Sequence, residues 1–359
     1  MSNRELLFIL LRTALWGKEE PLPEIKAMDG ASVLKEAEKQ TVTALVLDAM
    51  DKCEVKLPTD VVLDYFAYFA QVEQDNRQLN AAARSLGRLL KKDCVDYAIV
   101  KGQVVASLYP NPLLRQSGDI DFYCDCENIS RAKEVMHQSW GIDFDDTDSD
   151  IHYHFDYKGV TFELHFSLTS LYNKRKNDYW AQLLRDDKGC EVIIDEIPVK
   201  TLSPTLHTLY VFLHLYKHLM DLGVGLRQFC DLAVMLHAYK SEIDLDALKL
   251  HLKVLGMEKT FRACGSILVF QLGLPAEEFP YTLTDKDRRY GNRMLDVVFY
   301  RGNMGHYNKR NGFHGWKHNL ESTGIKVSHF LKFMPLAPSY SCQWLIHELS
   351  RKLLLKLKS

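Results

Sequence analysis

"SGDIDFYCD", residues 117–125, sets two aspartates one residue apart among apolar side chains. In an extended chain, alternate residues face opposite ways, so Asp119 and Asp121 share one face while Ile120 and Phe122 share the other. Two carboxylates roughly 6.6 Å apart along a strand repel by about 2–3 kcal/mol at an effective dielectric near 20. Such a pair needs a positive group beside it, and the flanking sequence is where that group is sought.

Upstream, "YAIVKG" (97–102) reads as a short buried strand ending at Gly102, and "QVVASLYP" (103–110) as a helical turn or two stopped by Pro110 and Pro112. Downstream, "NISRAKEVMHQSW" (128–140) reads as a helix capped by Asn128 or Ser130. "HYHFDYKGVTFELHFSL" (152–168) is a hairpin turning near Lys158-Gly159. Within it Val160, Phe162, Leu164 and Phe166 form one face and Thr161, Glu163, His165 and Ser167 the other. "CEVIIDEIPVKTLS" (190–203) adds a strand pair. Strand, helix, strand, helix and hairpin describe a small core, and the fold class expected is α+β with a mixed sheet.

Helical periodicity flanks this core. Residues 30–50 and 58–92 space apolar residues by three and four, with Pro58-Thr59-Asp60 as a helix start and Arg88, Lys91 and Lys92 as a basic end. From Pro204 onward, stretches 204–220, 226–239, 244–257 and 259–274 are again helical in period. The division expected is 1–92 (N-terminal helical region), 93–203 (core) and 204–359 (C-terminal helical domain). The basic-aromatic run 284–320, with Arg288, Arg289, Arg293, Arg301, Lys309 and Arg310, reads first as a solvated loop and second as a clamp for an anionic acceptor. Residues 344–359 read as a basic amphipathic helix docked on its own domain, ahead of contact with an anionic membrane.

A formal net charge of −2 gives no global basic field, so sequence-specific DNA binding is not expected. The eight cysteines contain no CxxC pair, which argues against a disulfide framework or zinc ribbon. No signal peptide opens the chain, and "LLFILLRTALW" (6–16) is too short to span a bilayer. A cytoplasmic protein without stable membrane insertion is expected.

Three elements near the aspartate pair carry chemistry. Lys101-Gly102 follows a strand, Arg115 and Ser117 lead into Asp119 and Asp121, and Glu163 lies on the polar face of "VTFELHFSL". A glutamate among buried-type residues is costly unless paired or metal-bound. Three carboxylates from neighbouring strands make a hard all-oxygen site suited to Mg²⁺ or Mn²⁺. Two such ions about 3.5–4 Å apart hold the attacking and leaving oxygens of a phosphoryl or nucleotidyl transfer.

"KGQVVASLYPNPLLRQSGDIDFYCD" (101–125) followed by "VTFELHFSL" (160–168) resembles the polymerase-beta-type nucleotidyltransferase superfamily. The resemblance is nearest to the bacterial uncharacterised nucleotidyltransferases, and abortive-infection-type enzymes share a similar arrangement. It implies a glycine turn at Gly102, metal ligands Asp119, Asp121 and Glu163, and an NTP substrate. It extends to "HLYKHLMDLGVGLRQFCDLAVML" (214–236), which implies that Lys217, Arg227 and Asp231 line a cleft. Gln103 departs from the pattern, which has Gly or Ser after the glycine, and the spacer before Asp119 is longer than usual.

The nucleotide-binding residues expected are Lys101, Gly102, Arg115, Ser117 and His165. Bland readings stand beside them: an ion pair for Lys101, a structural carboxylate pair for Arg115, turn chemistry for Ser117, and a hydrogen bond to the acids for His165. His214 and His218 have a zinc-compatible spacing, but a structural or nucleotide-contacting role fits "HLYKH" better. The function expected is metal-dependent transfer of NMP from an NTP to an acceptor (protein, RNA, glycan or small molecule) with release of pyrophosphate. A catalytically inactive nucleotide-binding module or partner subunit and metal-assisted phosphoester hydrolysis are the alternatives.

Overall fold

Four helices precede the first strand in this computed structural model, which describes residues 2–17, 27–145, 151–221, 223–303, 327, 331 and 333–338. They are α1 (Asn3–Trp16), α2 (Ala27–Lys39), α3 (Thr43–Lys52) and the long α4 (Thr59–Lys92). Then come β1 (Ala98–Val100), α5 (Gly102–Ala106), β2 (Asp119–Tyr123), α6 (Ile129–Trp140), β3 (His152–Tyr157) and β4 (Val160–His165). Next are α7 (Lys174–Asp186), β5 (Cys190–Ile194), β6 (Ile197–Thr201), α8 (Pro204–Asp221) and α9 (Leu226–Ala238). α10 (Leu245–Leu255), α11 (Glu258–Phe270) and α12 (Asp285–Arg301) follow. The fold is α+β.

β1 to β4 form a mixed sheet in the order β1-β2-β4-β3, with β2 and β4 parallel and both outer pairs antiparallel. β5 and β6 pair separately. The hairpin turn falls at Lys158 and Gly159, both with positive φ, as a tight two-residue connection requires. Alternation then sorts the faces. Ile120, Phe122, Phe155, Phe162 and Leu164 pack in one apolar cluster with Leu79, Ala83 and Leu86 of α4 and Val135 and Met136 of α6. Each such large side chain contributes about 1.5–3 kcal/mol by leaving water. Phe155 and Phe162 stack across the strand pair at 5.2 Å.

The opposite face of the sheet looks toward α8 and α9, which belong to a second cluster. There α1 to α3 pack beside α8, α9, α11 and α12, with Phe8 edge-on to Phe299 and Phe212 edge-on to Phe261. The site lies between the two bodies of packing. Among the described residues, no helix is long and apolar enough to cross a membrane, and all seven described cysteines are free.

One local reading holds with a different side-chain role, and one needs correction. Asn128 is the N-cap of α6, but its side chain makes no cap bond; it accepts from the Asp96 amide and donates to Asp125. The stretch read as a solvated loop is α12 from Asp285 to Arg301, because Thr284 and Asp287 form a capping box and Met294, Leu295, Val297 and Val298 give one buried face. Arg288, Arg289, Arg293 and Arg301 therefore sit on a helix, and Arg301 is buried. Lys309, Arg310 and the 344–359 segment lie outside the described residues.

Candidate active site

The parallel register sets Asp121 directly opposite Glu163, with Asp119 two residues earlier opposite Thr161. One oxygen from each of Asp119, Asp121 and Glu163 lies within 4.8 Å of the other two. Asp121 is 2% exposed. Its Oδ1 accepts from Lys101 Nζ at 2.7 Å and sits 2.8 Å from His165 Nε2. Burial alone would raise the pKa of Asp121, but Lys101 and His165 outweigh it and hold the carboxyl well below its usual range. Asp119 moves the other way: burial, the Asp121 charge and the Glu163 charge raise its pKa against the pull of Lys101. The cluster thus carries more negative charge than Lys101 cancels, and this surplus on clustered oxygens fits a divalent cation.

The turn after β1 is held under tension. Lys101 has φ 53° and ψ −135°, a conformation costing a side-chain-bearing residue about 1–3 kcal/mol. Two contacts fix it: its amide donates to His207 Nε2 at 3.0 Å, and its ammonium pairs with Asp121. Gly102 follows with φ 32°, and a Cβ there would meet the Asp119 carbonyl oxygen at 3.4 Å. Gln103 points away from the cleft; its Nε2 donates to Asn80 Oδ1 at 2.6 Å and approaches Asn76 on α4. The departure from the small residue seen in the resemblance therefore leaves the cleft side of the turn unfilled.

Arg115 is bound to Asp231 by two parallel bonds, Nε to Oδ1 at 2.7 Å and Nη2 to Oδ2 at 2.8 Å. Its Nη1 donates to Ser117 Oγ, and Tyr109 donates its hydroxyl to Asp231 at 2.7 Å. Burial works against the Arg115 charge, but Asp231 more than compensates and raises its pKa. In this arrangement Arg115 and Ser117 brace the strand that carries the acids.

His165 is pulled down by burial and carried up further by its contacts with Asp121 and Glu163, for a net raised pKa. On α8, burial and the Lys101 charge lower His207 to about 3 and His218 to about 4, and push His214 well down. His214 Nδ1 lies 3.4 Å from Lys101 Nζ. His207, Tyr210, His214 and His218 recur at helical spacing; the last three line the cleft with the acids, and His207 holds the Lys101 amide. His207 and Tyr210 were not singled out in the sequence, although that spacing was the available signal.

A cleft of about 450 Å³ joins these groups, and Lys217, Arg227 and Asp231 line it with Lys101, Gly102, Arg115, Ser117, His165 and the three acids. Arg227 Nη1 donates to the Gln116 carbonyl, while its buried Nε has no hydrogen-bond partner among the described residues. Burial and the neighbouring Arg115 lower its pKa, so an anion in the cleft would relieve both.

Residues 26–268 match the model of a family described as uncharacterised nucleotidyltransferases. A solved structure, an antigenic nucleotidyltransferase-like protein from Paracoccidioides brasiliensis, is similar at 19% identity and a TM-score of 0.35, covering 56% of this chain and 97% of that one. No curated protein matches. Since the family model spans more than half of the sequence, the chain belongs to the uncharacterised nucleotidyltransferase family.

Proposed function

Starting from that family, we propose that the chain transfers a nucleoside monophosphate from an NTP to a hydroxyl or phosphate of an acceptor. The observation that supports this most is the convergence of Asp119, Asp121 and Glu163 in a cleft that also presents Lys101, Lys217 and Arg227. The acceptor oxygen bonds to the α-phosphorus, the bond from that phosphorus to the α,β-bridging oxygen breaks, and pyrophosphate departs with the electron pair. Two Mg²⁺ or Mn²⁺ ions held by Asp119, Asp121 and Glu163 would supply the positive charge for that displacement.

The chain's own groups do the rest. Gly102 leaves room beside the Asp119 backbone, and Lys101 and Arg227 meet phosphate oxygens, with Ser117 and His165 near enough to assist. Arg115, braced on Asp231, keeps Asp119 and Asp121 in register. Glu163 faces the acceptor oxygen and receives its proton. The flanking helices exclude water from the cleft. The acceptor itself is proposed only as a nucleophilic oxygen on a protein, RNA, glycan or small molecule.

Incubation with α-phosphate-labelled NTPs, Mg²⁺ or Mn²⁺ and a cell extract tests this. Label transfer that disappears in Asp119→Ala and Asp121→Ala supports it. Tight NTP binding without transfer, or pyrophosphate release without an adduct, overturns it in favour of a binding module or a hydrolase.

A further inference from the structure

The polar face of the sheet carries nitrogen ligands as well as carboxylates. His152 on β3 and His165 on β4 are directly opposed in the antiparallel register, and Glu163 lies two residues before His165 on the same face. The two imidazole centroids are 5.1 Å apart. Each ring turns its Nε2 toward a different oxygen of the Glu163 carboxylate: His165 to Oε2 at 3.3 Å and His152 to Oε1 at 3.9 Å. One ligand atom from each of the three residues lies within 4.8 Å of the other two.

These separations can be set against what one ion imposes. With ligand bonds of about 2.0–2.2 Å, neighbouring ligand atoms of a divalent ion lie about 3.0–3.7 Å apart. The His165 contact falls inside that range and the His152 contact just beyond it. A hydrogen bond at 3.9 Å would be too long. His165 Nδ1 is buried with no hydrogen-bond partner among the described residues, so the polar work of that ring is done at Nε2, toward the acids. Two imidazoles and one carboxylate on one face suit first-row transition ions, whereas Mg²⁺ takes oxygen.

We propose that His152, Glu163 and His165 form a mixed nitrogen-oxygen site for a divalent first-row transition ion, for which Mn²⁺ serves as the paramagnetic probe. It rests on the transferase reading in sharing Glu163 with the carboxylate cluster, and it deepens that reading by naming the class of metal preferred. The bond between His165 Nε2 and Asp121 Oδ1, 2.8 Å, is the arrangement the ion would displace: Nε2 releases its proton to solvent as the metal binds, the ring keeps a proton on Nδ1, and Asp121 keeps Lys101.

The test uses the full chain, stripped with a chelator and loaded with one equivalent of Mn²⁺, and reads directly bound nitrogen by three-pulse electron spin-echo spectroscopy. Imidazole ¹⁴N modulation is expected in the unaltered chain and in Asp119→Asn. It should become shallower in His152→Gln and vanish in the His152→Gln/His165→Gln pair, with Mn²⁺ affinity falling at least about tenfold. His152 is half-buried, so its single variant carries the test if the pair does not fold by circular dichroism. Bound Mn²⁺ with oxygen ligands alone, or no bound Mn²⁺, overturns the proposal. Oxygen-only ligation with Mg²⁺-dependent label transfer intact would leave the transferase reading standing. Nitrogen coupling in a chain that transfers nothing would uphold this site and overturn that reading.

Discussion

Two buried ion pairs share the cleft and differ in how completely they are matched. Arg115 meets Asp231 through two parallel bonds, Ser117 takes a third guanidinium nitrogen, and Tyr109 donates to the same carboxylate. Charge and hydrogen-bonding capacity are closed on both sides, and both side chains are 5% exposed. Lys101 instead brings one ammonium to Asp121 while Asp119 and Glu163 stand close by. A matched pair fixes architecture. An oversupplied one leaves a field that a cation or a phosphate-bearing ligand can complete.

The largest test of this contrast is Asp119→Asn. It should lower label transfer by on the order of 10³-fold. Its unfolding free energy should stay within about 1 kcal/mol of the parent, because burial and the charges of Asp121 and Glu163 already disfavour the ionised Asp119. Asp231→Ala should do the reverse in stability, losing about 3–5 kcal/mol in denaturant titration because Arg115 is left buried and uncompensated. If the two variants lose the same stability, the contrast fails.

Acid gives the next test. His207 is buried, with its pKa lowered from 6.5 to about 3, so below pH 6.5 the unfolded chain takes up a proton that the folded chain refuses. Stability therefore falls as pH drops, by about 2 kcal/mol at pH 5 from His207 alone. His207→Gln should flatten the slope between pH 6.5 and 4 by about one proton, read from unfolding midpoints across pH. A steeper slope in that variant would refute the assignment. The smallest effect belongs to Gln103→Ser: a loss of about 1–3 kcal/mol as Asn80 loses its partner, with KM for NTP unchanged. A changed KM would mean that residue 103 touches the substrate.

Much of this was legible in the sequence because it is local. Strict alternation in Asp119–Tyr123 and Val160–His165 assigns their faces, and the Lys158-Gly159 turn fixes the register of β3 on β4. The α4 boundaries also follow from Thr59 and the basic end at Lys92. What could not be read is pairing over distance. Arg115 and Asp231 are 116 residues apart, and Lys101 and His207 are 106 apart. Periodicity says which face a side chain occupies and nothing about which distant face it will meet. Arg115 therefore carried two readings in the sequence, and its contact with Asp231 is what joins it to the braced strand. The run at 284–301 was misread because Gly, Arg and Asn content outweighed a four-residue cap and a single apolar stripe.

The twisted backbone at Lys101 has a consequence for how the protein matures. Its restraint comes from His207, and the brace on Arg115 comes from Asp231, both supplied by helices made after the sheet is complete. A ribosome-bound chain ending before those helices would own every acid yet lack the grip that aims them. Competence should thus switch on late in synthesis, once the trailing helices dock.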